Sequence, residues 1–255
     1  MLRFGCCGVV TGMAMRSIYI CLPLAVALTL GAGFARAAEK PESLIPFNKL
    51  DAAAQARVRQ VVPGYTFYRK VHLPKPTVRA RYDIFEYLIN HLDQCSIVAQ
   101  LLKIVEYRSE RRPDGSYFAD NRKGAAGYLW PLLAAPGERL YLAQGADKKG
   151  EPVSGSAVVL FRYRKAQPGV LECELHGFVK VDSWMQRLCA LFFLPFITTT
   201  VDNRFGEVVD VPVQVSEIAT TDPAKVLKLL DTLSPEDAAK MKEFRALLTQ
   251  QETKP

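Results

Sequence analysis

The sequence predicts an α+β fold, in which a curved antiparallel sheet of about seven strands surrounds a long C-terminal helix, with extra N- and C-terminal helices. Two observations support this class. The middle third alternates short segments of strand composition with proline- and glycine-containing turn signals. A long apolar segment with helical spacing then follows, and further helical patterns lie at both ends of the chain.

The N-terminus reads as a signal peptide over residues 1–37. An apolar stretch at 17–34 follows Arg16, and Ala35 and Ala37 give the small-x-small spacing that signal peptidase cleaves. A permanent membrane anchor is the alternative, because about 18 apolar residues would just span a bilayer. Cleavage is favoured, and we therefore expect the protein to be exported to the periplasm or secreted.

The charge balance excludes one class of partner. The full chain carries +7, of which Arg3, Arg16 and Arg36 belong to the predicted leader. The remaining positive charge is small and spread along the chain, so it gives no footprint for nucleic acid.

The cysteines give neither a disulfide framework nor a zinc site. Outside the leader only Cys95, Cys173 and Cys189 remain, an odd number without metal-ligand spacing. Three buried thiols are the favoured interpretation, and one bridge with one free thiol stays open.

The segment before the sheet contains three predicted helices and one strand. Residues 38–64 form a lead-in and an N-terminal helix that ends at Pro63 and Gly64, and residues 65–73 have strand composition. Residues 78–92 place apolar side chains on one helical stripe, and residues 96–104 form a short helix for which Asp93 or Ser96 is the candidate cap.

Six strands joined by turns are predicted next. They cover residues 103–109, 116–122, 126–133, 139–145, 156–164 and 170–181. If the last hairpin turns at Pro168, Arg164 faces Glu172 and Arg162 faces Glu174, which favours that register by about 0.2–1 kcal/mol for each pair. The pattern predicts a charged outer face, with His176 on the surface, and an apolar inner face.

The C-terminal third is predicted to be helical. Trp184, Leu188, Leu191 and Phe192 share one stripe of an apolar helix that Pro195 interrupts. Two further helices start at the cap-proline pairs Asp222-Pro223 and Ser234-Pro235. We assign residues 65–218 to the sheet-containing domain and residues 219–255 to a helical extension and tail.

This element order, with the junction "VKVDSW" at 179–184, resembles the START-like helix-grip fold of the polyketide cyclase and lipid-transfer superfamily over about residues 65–218. The chain is also similar to uncharacterised secreted bacterial proteins at Tyr68, Arg69, Pro195, Asp202, Asn203 and Phe205. The resemblance implies a hydrophobic cavity between sheet and helix, usually for a lipid or polycyclic ligand.

Motifs for the common hydrolases, zinc proteases and nucleotide-dependent enzymes are absent from the sequence. We therefore expect no catalytic residues, no metal and no cofactor. His72, His91 and His176 lie too far apart for a typical metal site, and the spacing of His91 and Cys95 is read as structural. Catalysis without a cofactor would need polar groups in the cavity. Candidates are inward-facing Arg122 or tyrosines, and acids at the cavity mouth (Asp120, Asp182, Asp202).

The candidate ligand-binding residues are aromatic side chains expected on the inner sheet face and on the gripped helix. They are Tyr128, Trp130, Tyr141, Phe161, Tyr163, Trp184, Phe192 and Phe196. Binding or transport of a lipid or other hydrophobic small molecule is the leading hypothesis. A cofactor-independent cyclase or dehydratase and a non-enzymatic envelope interaction module are the alternatives. Residues 188–197 allow a peripheral membrane contact.

Overall fold

The computed structural model describes residues 40–71, 76–120, 126–146, 152–181 and 210–250, and an eight-stranded antiparallel sheet lies at its centre. The strands are β1 Phe67–Val71, β2 Thr77–Arg79, β3 Arg108–Arg111, β4 Tyr117–Asp120, β5 Ala126–Ala135, β6 Glu138–Ala146, β7 Pro152–Gln167 and β8 Val170–Lys180. Their order is β1-β8-β7-β6-β5-β4-β3, and β2 also pairs with β8. The predicted α+β class is confirmed, but β2 overlaps the start of the helix predicted at residues 78–92, which begins only at Tyr82.

The six predicted meander strands are confirmed as β3 to β8, each paired with the next along the chain. Three of the connecting turns contain a glycine at positive φ: Gly115 at 82°, Gly137 at 73° and Gly169 at 70°. Glycine adopts this left-handed conformation without steric cost. Strand β3 begins later than predicted, because Ile104 still packs with the preceding helices.

The register predicted for the last hairpin is confirmed. Arg164 is the partner of Glu172 and Arg162 is the partner of Glu174. The Arg164 Nε donates to Glu172 at 2.8 Å. Arg162 instead donates to Glu138 on β6 at 2.9 Å, because β7 is an interior strand with neighbours on both sides.

The described residues contain seven α-helices. They are α1 Ala52–Val61, α2 Tyr82–Asn90, α3 Leu92–Leu101, α4 at residues 210–221, α5 Pro223–Leu230, α6 Pro235–Lys240 and α7 Lys242–Thr249. The predicted caps Asp222 and Ser234 each accept a hydrogen bond from the backbone of the first turn. Asp93 and Ser96 are not caps as expected, since α3 begins earlier and both lie inside it.

The inner face of the sheet, defined as the face that contacts α2, forms the first core cluster. Phe85 and Ile89 of α2 pack there against Phe161, Leu175 and other inward side chains of β6, β7 and β8. The other side of α2 packs against α3, α4 and the C-terminal helices in a second cluster. Helix α2 is therefore buried on both sides, which fits its fully buried Ile84, Phe85 and Leu88.

The outer face is the opposite face, and the N-terminal segment covers its middle. Val58 and Val61 of α1 join Leu160 and Phe178 of the sheet in a third cluster. The charged outer face predicted from the last hairpin is therefore confirmed only near the turn. His176 is only 3 % exposed, so its predicted surface position is wrong.

The predicted gripped helix, from about Trp184 to Phe205, lies outside the described residues. Helix α4 follows it in sequence and contributes Val213 to the inner-face cluster. In the part of the chain that the structure describes, no helix combines the length and apolarity that crossing a membrane requires.

Candidate functional site

Three of the predicted ligand-binding residues come together on the inner face. The rings of Phe161 and Tyr163 are 5.4 Å apart, and Phe85 of α2 lies 5.1 Å from Tyr163. The Tyr141 hydroxyl donates to the carbonyl of Ile89 at 3.1 Å. All three residues are buried beneath α2. This part of the inner face is therefore a packed core.

Tyr128 and Trp130 lie on the outer face instead. They flank Leu129, which packs with the inner cluster, and strand side chains alternate between faces. Trp130 is the partner of Leu142, which belongs to the outer cluster. The two rings stack at 5.6 Å, and Phe118 lies 5.0 Å from Tyr128. Their expected place beside Tyr141 is corrected by this alternation.

The remaining predicted residues, Trp184, Phe192 and Phe196, lie outside the described residues, as do Arg122, Asp182 and Asp202.

A row of apolar side chains crosses the inner face one step beyond Tyr141. Register pairs connect its members from β5 to β1: Leu129 with Ala143, Ala143 with Ala157, Ala157 with Val179, and Val179 with Phe67. We call this set the apolar row. All of it is half-buried except Ala157, which is buried with 8 % exposed.

Small residues make the sheet surface low in this region. Alanine occupies the second and third of the five positions of the apolar row, Ala143 and Ala157, with larger side chains on either side. The neighbouring register places Ala119, Gly127 and Gly145 next to one another on β4, β5 and β6. A Cβ on Gly127 would lie 2.8 Å from the Gln144 carbonyl oxygen, so the backbones approach closely there. From the sizes of its side chains, we infer that the apolar row forms a shallow trough with larger residues at its ends.

A buried polar cluster lies along α2, from Glu86 in its middle to its last residue, Asn90. Arg139, 2 % exposed, donates through Nε to Asn90 Oδ1 at 2.9 Å and through Nη1 to the Glu138 carbonyl at 2.9 Å. Its Nη2 donates to Glu86, and the Tyr163 hydroxyl donates to the other oxygen of the same carboxylate. We call Glu86, Asn90, Arg139 and Tyr163 the arginine cluster.

The electrostatics of the arginine cluster keep Tyr163 protonated. Burial raises the pKa of Tyr163 far above its ordinary value, and the hydrogen bond to Glu86 raises it further. The Arg139 guanidinium opposes this shift and lies 5.6 Å from the Tyr163 ring centre. Each charged group in the cluster is thus neutralised by another member, as buried charges require.

Polar groups also lie where α2 meets α3. The Tyr117 hydroxyl donates to the Asn90 carbonyl at 2.9 Å, and Tyr117 is the register partner of Leu129 in the apolar row. Asp93 Oδ1 is buried and has no hydrogen-bond partner among the described residues. A buried acceptor without a donor is costly, so a hydrogen-bond donor placed here would be stabilised.

The described thiols are poor nucleophiles. Cys95 and Cys173 are free and buried, as predicted, whereas Cys189 lies outside the described residues. Burial raises the pKa of Cys173 to about 12 and that of Cys95 further still. His91 stacks on Tyr87 at 4.2 Å and donates through Nδ1 to the Tyr87 carbonyl at 2.9 Å, so this nitrogen is not a base for Cys95. Across the described ranges no three potential metal ligands form a group.

No known protein family and no curated protein matches this sequence. The solved structures that are similar to this chain include three that share 12 % sequence identity with it. A protein from Arthrobacter aurescens matches 58 % of this chain and 82 % of its own, with a TM-score of 0.37. A START superfamily protein from Mycobacterium smegmatis matches 54 % and 94 %, with a TM-score of 0.32. An uncharacterised protein from Rhizobium leguminosarum matches 57 % and 92 %, with a TM-score of 0.31. Similarity at this level leaves the function to be inferred from the chain's own residues.

Proposed function

We propose that this protein binds a lipid or another hydrophobic small molecule against the apolar row. The single observation behind this proposal is that the inner face changes from a packed core at Phe161 and Tyr163 to a half-buried trough at Ala143. An apolar surface with small residues at its centre and larger ones at its edges is typical of ligand sites.

The driving force would be removal of apolar surface from water. A ligand that buried about 200 Å² of apolar area would gain about 5 kcal/mol, before the cost of association is subtracted. The arginine cluster does not offer a free charge, because Arg139 donates to Glu86, Asn90 and backbone carbonyls. We therefore infer that the part of the ligand held in the trough is uncharged.

Filling the trough tests the proposal. Ala143→Phe would place a large ring in the apolar row, whereas Gln144→Phe adds the same ring to the outer face of the same strand, beside Tyr128. Native mass spectrometry and displacement of a fluorescent fatty acid or sterol would measure binding by each variant. Loss of binding in Ala143→Phe alone supports the trough. Equal binding by Ala143→Phe and the unmodified protein would contradict it.

We also propose that the protein acts outside the cytoplasm, on the basis of the apolar stretch at 17–34 and the Ala35 and Ala37 spacing. N-terminal sequencing of protein recovered from the periplasm or medium should begin at Ala38. A full-length chain retained in the membrane would support the anchor alternative.

A further inference from the structure

A cleft lies on the outer face, near the turn of the last hairpin. Its volume is about 760 Å³. Seven charged residues line it: Lys49, Lys70, Glu138, Arg162, Arg164, Glu172 and Glu174. The apolar row is on the opposite face of the sheet, so this cleft is not part of the proposed lipid site.

The carboxylates of the cleft are already occupied by its own cations. Lys49 donates to Glu138 at 2.8 Å, and Arg162 donates to the other oxygen of Glu138 at 2.9 Å. Lys70 pairs with Glu174, and Arg164 pairs with Glu172. None of these three carboxylates is left without a cation.

In each of these pairs the cation is the more exposed partner. Lys49 is 51 % exposed against 8 % for Glu138. Arg164 is 78 % exposed against 44 % for Glu172. Lys70 is 61 % exposed against 38 % for Glu174. Glu138 is therefore recessed, and in every pair the cation extends further into solvent than its carboxylate.

The carboxylates of Glu138 and Glu174 remain ionised at neutral pH, because the pKa of each is lowered. Burial raises the pKa of Glu138, but the hydrogen bonds from Lys49 and Arg162 outweigh burial and lower it overall. The hydrogen bond from Lys70 lowers the pKa of Glu174. Neither acid is thus available to donate a hydrogen bond, whereas the cations keep donors that face outward.

The cations also have a defined spacing. Arg162 and Arg164 are two residues apart on the same side of β7, which separates them by about 7 Å along the strand. Lys70 lies on the other side of β8, where it pairs with Glu174. Positive groups thus flank β8 from two strands, an arrangement that suits more than one negative group.

We propose that this cleft binds a ligand with at least two phosphate or carboxylate groups. The same chemistry is offered by a free polyanion and by the headgroups of an anionic membrane. Guanidinium and ammonium groups bind both, and arginine does so with two parallel hydrogen bonds.

The test compares two double variants of equal charge. Lys70→Gln with Arg164→Gln removes two cleft cations. Lys240→Gln with Arg245→Gln removes two cations that also form exposed ion pairs, with Glu236 and Asp231 on the C-terminal helices. Calorimetric titration with pyrophosphate and with citrate measures free-anion binding. Flotation with phosphatidylcholine vesicles, with and without phosphatidylglycerol, measures membrane binding.

We expect the cleft variant to bind about three- to fivefold more weakly for each cation removed, and the control variant to bind like the unmodified protein. Affinity should also fall as salt increases. Binding to pyrophosphate or citrate assigns the cleft to free anions, and binding only to phosphatidylglycerol vesicles assigns it to membranes. No binding to any probe, or equal losses in both variants, would overturn the proposal.

Discussion

Removal of one charge from the arginine cluster should destabilise the protein more than removal of both. Arg139 is 2 % exposed, and Glu86 is its only carboxylate partner among the described residues. Glu86→Leu would leave a buried guanidinium whose remaining acceptors are Asn90 and two backbone carbonyls. Breaking a buried ion pair in this way costs about 3–5 kcal/mol, because the remaining charge is not compensated.

The double variant Glu86→Leu with Arg139→Met removes both charges. A buried pair replaced by apolar side chains of similar size is often neutral or stabilising by about 1–4 kcal/mol. Here part of that gain is lost, since Tyr163 also loses its acceptor, at about 1–3 kcal/mol. We therefore expect the double variant to lie between the unmodified protein and either single variant.

Urea unfolding of the four proteins measures these differences as free energies of unfolding, provided that the slope with urea stays constant. Asp231→Leu is the matched control, because Asp231 pairs with Arg245 at 2.7 Å on the surface, where a pair contributes about 0–1 kcal/mol. A double variant that loses as much as the sum of the single variants would refute the reasoning, since the two charges would then contribute independently.

Two further outcomes are expected. Burial lowers the pKa of His176 despite the nearby Glu174, so the unfolded chain takes up a proton near pH 6.5 that the folded protein resists. The contribution of His176 to stability should be complete above about pH 6.5 and should decrease as the pH falls below it. The urea midpoint of His176→Gln should therefore depend less on pH in this range than that of the unmodified protein. Identical pH profiles would contradict this expectation. Gly127→Ala should cost about 1–3 kcal/mol, because the new Cβ would meet the Gln144 carbonyl at 2.8 Å; an unchanged melting temperature would show that the strands can separate there.

The elements that the sequence predicted correctly are those specified by local signals. Turn residues mark the ends of β3 to β8, and the charges of Arg162, Arg164, Glu172 and Glu174 favour the observed register of the last hairpin. The caps Asp222 and Ser234 act within one helical turn, so they need no long-range partner. Information of this kind is contained in a few consecutive residues.

The faces of β5 could not be predicted in the same way. Its sequence is apolar at both parities, with Leu129 on one and Tyr128 and Trp130 on the other. The alternation of side chains therefore does not indicate which set of β5 residues faces inward. The inner face is instead set by the position of α2, and the outer face by that of α1. The burial of His176 could not be predicted for the same reason. On its side of β8 the residues change from charged, at Glu172 and Glu174, to apolar, at Phe178.

Arg139 was missed for a related reason, although a signal existed. It shares the parity of Tyr141 and Ala143 on β6, so an inward charge could have been expected there. Its partner Glu86 directly follows the buried Phe85 in α2, outside the apolar stripe of that helix. Nothing local connects the two residues, which are 53 positions apart.

The alanines of the apolar row support a ligand site better than the aromatic residues, which are packed in the core or lie on the outer face. Ala143 and Ala157 occupy interior strands, where β-branched side chains would bury more apolar surface and suit the strand better. On the packed half of the same face, the equivalent positions hold Tyr141, Val159 and Phe161. On β6, packing on the inner face is therefore looser at the half-buried Ala143, next to the half-buried Leu129, than at the buried Tyr141. Looser packing in one defined patch is expected of a binding site, because residues that serve function often reduce stability.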